Sequence, residues 1–439
     1  MAAPEVQSEI SEPSVPRRRV VKVLAALVVL VVVGVFWGKT AWINFCQWQA
    51  ESQLADRHTE AALQWITRAY EADTENPETL LIMARAHRRS SQIESAVEDL
   101  TRLYQITGNT EDLQREQWLV EAQVGDLQNL EQHLADMLID PRGRAPDICE
   151  TFVNSCVLNY RFHDAKRVLE VWQADFPEDP LPHYYRGRIL EHEGDWNQAV
   201  TEFEAALKRD PEHIPSAYNL ARIRLAQNQA EAALKNYRSI TEIQPDHAAA
   251  LVGTAICLRM QQEVDEARET LAKAQAIPEA RRQKDFQRVG DPAYEARSTI
   301  SREQGQLELA AGNYEQALVH LQEALARNPK DRKARLALAN ALRGQGKLEE
   351  AQEQLKIVEE TQQAVKRLDE CFDQLHKDLE NAELRAEIGT IFLKYISEDQ
   401  GIVWLKNALY YDPENQLAKQ TLTDYYNKQQ TPPDSSVTQ

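Results

Sequence analysis

Residues 183–211 read HYYRGRILEHEGDWNQAVTEFEAALKRDP, and residues 301–329 read SREQGQLELAAGNYEQALVHLQEALARNP. Aligned, they share a glycine (Gly187, Gly305), an alanine (Ala199, Ala317) and a large apolar residue four positions on (Phe203, Leu321). A second alanine (Ala206, Ala324) and a closing proline (Pro211, Pro329) complete the match. Apolar spacings of three and four describe one face of a helix. Gly194-Asp195 and Gly312-Asn313 are turn pairs that split each stretch into two helices. The small residues let the two helices approach closely, ridge into groove. The final proline stops the second helix, because it has no N–H to donate and restricts the residue before it.

The hairpin recurs. Ala165, Ala199, Ala233 and Ala267 stand 34 residues apart, and Pro177, Pro211 and Pro245 follow the first three by twelve. Ala317 with Pro329, then Ala351, then Gly401 with Pro413, continue the series; Ala62 and Ala96 precede it, with a degenerate unit ending at Asp140-Pro141. A fixed period of this length marks a stack of about ten helix–turn–helix units. The units resemble the tetratricopeptide repeat (TPR) family, whose pattern is W-x2-L-G-x2-Y, A-x3-F, A and then P. His183 and Ser301 replace the tryptophan, and Gly401 stands where alanine is usual. The resemblance implies an all-α, right-handed superhelix, an α-solenoid over residues 43–427. Its clearest units are 180–213, 214–247, 298–331 and 382–415. The segment from Pro413 to Lys428 reads as a capping helix, and 428–439 as a disordered tail.

Two intervals are stretched from 34 to 50 residues, each by 16. Ala280–Glu295 is inserted in the first, and its Asp291-Pro292 looks like an N-cap and first helical residue. The second, between Gly346 and Gly389, has no glycine or proline. It predicts one long helix over 347–379, with a stripe of Val358, Val365, Leu368, Phe372, Leu375 and Leu379 that packs on the last hairpin or forms a coiled-coil or dimer seam.

Ahead of the repeats, residues 1–19 are polar and end in Arg17, Arg18 and Arg19. An apolar run of 18 residues, Val20 to Trp37, is broken only by Lys22. As a helix it spans roughly 27 Å, close to the ~30 Å hydrocarbon core. Trp37, Trp42 and Trp48 follow, as in an interfacial belt. Large and charged residues occupy the positions where cleavage needs small ones, so 20–42 reads as an uncleaved transmembrane signal-anchor. The arginines place the N-terminus in the cytoplasm and the repeats on the trans side, the periplasm of a bacterium.

The formal net charge is −19 at pH 7, which argues against nucleic acid as the main partner. Five cysteines form no zinc or redox spacing. Cys149 and Cys156 lie two turns apart and cannot bridge on one straight helix. No phosphate loop, HExxH or GxSxG motif is present, and the ten histidines are scattered. His183, Glu191 and His192 form the nearest thing to a cluster. The expectation is therefore no enzyme, no metal and no cofactor.

Function then rests on surface. In the family the first helix of each hairpin lines a concave groove. Carried over, this puts Arg85, Arg88, Tyr184, Tyr185, Arg188, Tyr218, Asn219, Arg222, Arg259, Arg302, Asn340 and Arg343 on or near it. Arginine grips carboxylates bidentately and tyrosine supplies rigid contact area. Arg188, Arg222 and Arg259 would either form a basic track for an acidic segment of a protein or peptide partner or be stems that cover apolar neighbours. The family's carboxylate clamp is absent, which does not support chaperone-tail binding: Asn219 fits its middle unit, but Ala249 and Gly253 stand where Lys and Arg are required. The sequence points to a membrane-anchored interaction scaffold in the cell envelope. The alternatives are an accessory subunit of an envelope enzyme complex, for glycan synthesis or cytochrome assembly, and a cytoplasm-facing docking receptor.

Overall fold

The computed structural model describes residues 38–125, 127, 130–291, 295–375 and 377–430. Every regular element among them is a helix. The chain divides into two compact units, Met1–Ile139 and Asp140–Gln439. Most of the anchor expected over 20–42 and the end of the expected C-terminal tail lie outside the described residues. Among the described residues no helix is long and apolar enough to cross a membrane.

In the first unit α1 (38–55) pairs with α2 (Thr59–Ala72), α3 (Pro77–Arg89) with α4 (Ile93–Thr107), and α5 (Glu111–Gln123) with α6 (Glu131–Ile139). Ile43, Cys46, Ala50 and Leu54 of α1 pack on Ala62, Ile66 and Ala69 of α2. Asn76 caps α3 by accepting from the Thr79 amide, with Pro77 as the first helical residue. Arg88 is 1% exposed and donates to Glu116 at 2.7 Å, so it is a core ion pair and not a groove residue. Trp42, Phe45 and Trp48, 46%, 42% and 61% exposed, run along one side of α1 with ring centroids 6.0 and 6.2 Å apart.

The second unit carries seven hairpins. These are α7 (Ala145–Leu158) with α8 (Phe162–Asp175), α9 (Leu181–His192) with α10 (Trp196–Arg209), and α11 (Ile214–Ala226) with α12 (Ala230–Ile243). Then come α13 (Ala248–Met260) with α14 (Val264–Ala276), α16 (Glu295–Ala310) with α17 (Tyr314–Arg327), α18 (Arg332–Gly344) with α19 (Leu348–Leu375), and α20 (Ala382–Tyr395) with α21 (Glu398–Tyr411). α15 (Glu279–Arg288) is the insert, and α22 (Gln416–Gln430) packs on α20 and α21. α19 stops at Leu375, and α22 continues two residues past Lys428.

The repeat pattern explains the packing. A Cβ on Gly187 would sit 2.7 Å from Phe203, and one on Gly253 would sit 2.4 Å from Tyr237. Glycine at these places is what lets the second helix's large side chain seat against the first helix's backbone. Gly194 turns the chain between α9 and α10 at φ +81°, a left-handed conformation that favours glycine. Asp195 then caps α10 by accepting from the Gln198 amide. All five cysteines are buried and free of disulfides. Burial pushes the thiols of Cys149 and Cys257 up to about 12 and that of Cys371 to about 11, so they are inert packing groups.

The insert is bolted to the hairpin before it. Asp285 is fully buried and accepts from the Ala248 amide at the start of α13, and from Arg281 Nε, both at 2.9 Å. Phe286 and Val289 complete the same apolar cluster as Tyr218 and Tyr237.

The second unit also closes on itself. Tyr160, in the α7–α8 turn, stacks on Trp404 of α21 with centroids 4.2 Å apart. Asn407 donates to the carbonyl of Asn159 at 3.0 Å across 248 residues of sequence. Leu368, Cys371 and Leu375 of α19 join Ile388, Trp404 and Tyr160 in one buried cluster. The long helix's stripe therefore packs at its C-terminal end on the last hairpin and on the first hairpin's turn.

Candidate functional site

The first helices bring Tyr184, Arg188, Tyr218, Asn219 and Arg222 together, but their own chain already engages them. Tyr218 Oη donates to Asp291 at 2.6 Å, and Asn219 Nδ2 donates to the Val289 carbonyl at 3.2 Å. Gly290 lies between, at φ +91°, where a Cβ would strike the Arg188 guanidinium. The stretch Val289-Gly290-Asp291 thus lies against residues expected to line the groove. Tyr184, Tyr185, Tyr218 and Asn219 are all buried, at 8%, 8%, 6% and 1% exposed. Burial and the Asp291 carboxylate push the Tyr218 hydroxyl well above its usual range, so it remains a donor.

The arginines of the expected track are paired within the chain. Arg222 Nη2 donates to Glu191 at 2.6 Å and to Asn219 at 2.9 Å. Arg188 Nη1 donates to Tyr184 Oη at 3.1 Å. Arg259 meets Glu303 at 3.0 Å, and Arg302 meets Asp331 at 2.7 Å and Glu303 at 3.2 Å. In the first unit Arg85 lies 3.5 Å from both Glu51 and Glu116. Asn340 and Arg343 differ: both are exposed on α18, and among the described residues neither side chain has a hydrogen-bond or ion-pair partner. Leu336, 44% exposed, precedes them one turn earlier on the same helix.

The histidine–glutamate cluster separates. His183 Nδ1 lies 2.6 Å from Glu202, while Glu191 faces Arg222. His192 sits with its ring 5.6 Å from Tyr160 and 5.5 Å from Phe162. Among the described residues no group of three or more His, Cys, Asp or Glu side chains could hold a metal ion. Sequence reasoning missed two sets of residues. Val289 and Asp291 come from an aperiodic insert, and Val289 contributes a main-chain atom that has no side-chain signature. Tyr160, Arg385 and Trp404 meet only through the closure of the second unit, a non-local event that no spacing reports.

Tetratricopeptide repeat family profiles match residues 180–213, 212–281 and 308–370. No curated protein matches the chain. The fold is similar to several solved structures. The human IFIT1 dimer with m7Gppp-AAAA is 14% identical with a TM-score of 0.41, over 76% of this chain and 90% of that one. A tetratricopeptide repeat protein from Parabacteroides merdae is 17% identical with a TM-score of 0.35, over 66% and 98%. YrrB, a TPR protein with an unusual peptide-binding site, is 20% identical with a TM-score of 0.26, over 50% and 97%.

Proposed function

We propose that this array of tetratricopeptide repeats is a membrane-anchored scaffold that holds a protein or peptide partner, with its repeats on the periplasmic side of a cell envelope. The observation that carries the binding assignment is the contrast along the inner face. Every other arginine expected on the groove has a partner in its own chain, whereas Asn340 and Arg343 on α18 are exposed and, among the described residues, unpaired. A free guanidinium beside an amide suits an acidic or carbonyl-rich segment, with Leu336 giving apolar contact. The partner site thus moves from the α9–α11 face, where Val289–Asp291 already lies, to α18.

Support for the anchor comes from α1. Its exposed Trp42, Phe45 and Trp48 follow directly on the apolar run ending at Trp37, and aromatic rings of this kind favour the headgroup layer. The test uses the full chain in detergent as bait in cell extracts. The double variant Asn340→Ala, Arg343→Ala should lose capture of the partner that the wild type retains, with helicity unchanged. Retention at wild-type strength overturns the α18 assignment. A reporter active only in the periplasm, fused after Gln439, should be active; activity of a cytoplasm-only reporter there inverts the topology.

A further inference from the structure

Where the second unit closes on itself it leaves a pocket of about 190 Å3 between the α7–α8 turn, the end of α19 and the hairpin α20–α21. We propose that this pocket binds a carboxylate carried on an aromatic body. The pocket shares no lining residue with the arginine track or with α18, and the proposal goes beyond the scaffold reading.

The argument starts from charge. Of the cations lining the pocket, Arg161 pairs with Asp164 at 2.8 Å and Lys166 with Glu193 at 2.6 Å. Arg385 is left over. It is 3% exposed, and its two terminal nitrogens donate to neutral acceptors, Asn407 Oδ1 and the Leu379 carbonyl. Among the described residues its Nε has no hydrogen-bond acceptor and no carboxylate makes a contact ion pair with it, although Asp164 and Glu380 act on it from further off. A buried cation without a contact counter-charge is destabilising, and a carboxylate placed against it would relieve that. Trp404, 1% exposed and lining the same pocket, has an indole N–H that meets no acceptor at full hydrogen-bond distance among the described residues and interacts only weakly with the Tyr160 hydroxyl. Two buried donors and one positive charge without a contact partner call for a singly charged acceptor. A phosphate dianion would exceed that charge.

The walls specify the rest of the ligand. Tyr160, Phe162, Phe372 and Trp404 present aromatic surface, with Tyr160–Trp404 at 4.2 Å and Phe372–Trp404 at 5.7 Å between centroids. A cavity of roughly 150 Å3 accommodates benzene, so this one has room for a single ring with a carboxylate. Arg385 already lies over the Tyr411 ring at 4.4 Å, which holds its guanidinium in place in advance of a ligand. The ligand could be a free aryl acid or the end of a peptide chain, since both carry this chemistry.

The test is titration calorimetry on the full chain in detergent with three probes. These are phenylacetate, its neutral analogue phenylacetamide, and a short peptide ending in phenylalanine with a free carboxylate. Saturable binding of phenylacetate or of the peptide is expected, with the amide weaker by about tenfold or more, the worth of a charge-assisted hydrogen bond. Binding of phenylacetate alone assigns a small acid, and binding of the peptide alone assigns a chain end. Arg385→Met should abolish binding. Trp404→Phe keeps the ring and removes the N–H, and should weaken binding on its own, so the test survives if Arg385→Met fails to fold. The proposal is overturned if neither acid binds, if the amide binds as well as the acid, or if Trp404→Phe binds as the wild type does. None of these outcomes bears on partner capture through α18.

Discussion

His192 is the residue whose ionisation is most clearly tied to its surroundings. Burial, followed by the nearby Arg188 guanidinium, pushes its imidazole down from the usual 6.5 to about 4, against the opposing pull of Glu191. The unfolded chain therefore takes up a proton between pH 6.5 and about 4 that the folded chain refuses. Stability contributed by the neutral ring is complete above pH 6.5 and falls as pH drops towards 4, by on the order of 3 kcal/mol. Thermal melts of wild type and His192→Gln across this range should converge at low pH, because glutamine cannot protonate. Parallel curves would mean that the ring titrates normally.

At the scale of elements, α15 is a structural graft held by one carboxylate. Asp285→Ala leaves the first amide of α13 and Arg281 without their acceptor, and should cost about 2–3 kcal/mol, read as a fall in the melting temperature. An unchanged melt would mean that α15 is dispensable. The hairpins themselves were legible from sequence, because Gly187, Ala199, Phe203 and Pro211 each do a local job that fixes residue type. The insert was visible only as 16 extra residues. Where it lands depends on Asp285 reaching a main-chain amide 37 residues back, and on Val289 offering its carbonyl to Asn219 from 70 residues away. Main-chain atoms are the same in every residue and leave no pattern to read. The groove positions had the same weakness: the repeat gave a face to Arg222 and Arg259, but their partners Glu191 and Glu303 stand 31 and 44 residues away in other hairpins.

At the scale of the molecule, the closure of the second unit sets it apart from a simple stack, in which each repeat touches only its neighbours. Tyr160→Ala removes a 7%-exposed ring from the seam and should cost about 3–5 kcal/mol there, like other aromatic truncations. Hydrogen exchange should then show α20 and α21 losing protection before the central hairpins, whereas uniform loss would argue that the seam is not a separate joint. The closure also fixes copy number. An open array can gain or lose a unit, because each added hairpin merely lengthens it. Here the seven hairpins deliver Trp404 to Tyr160 only at their present number and rotation per unit. Duplicating or deleting one between α9 and α19 would carry α21 away from its mate. The second unit can therefore be lengthened without opening the seam only by insertions within the hairpin series, as α15 is, and not by a change in the number of hairpins.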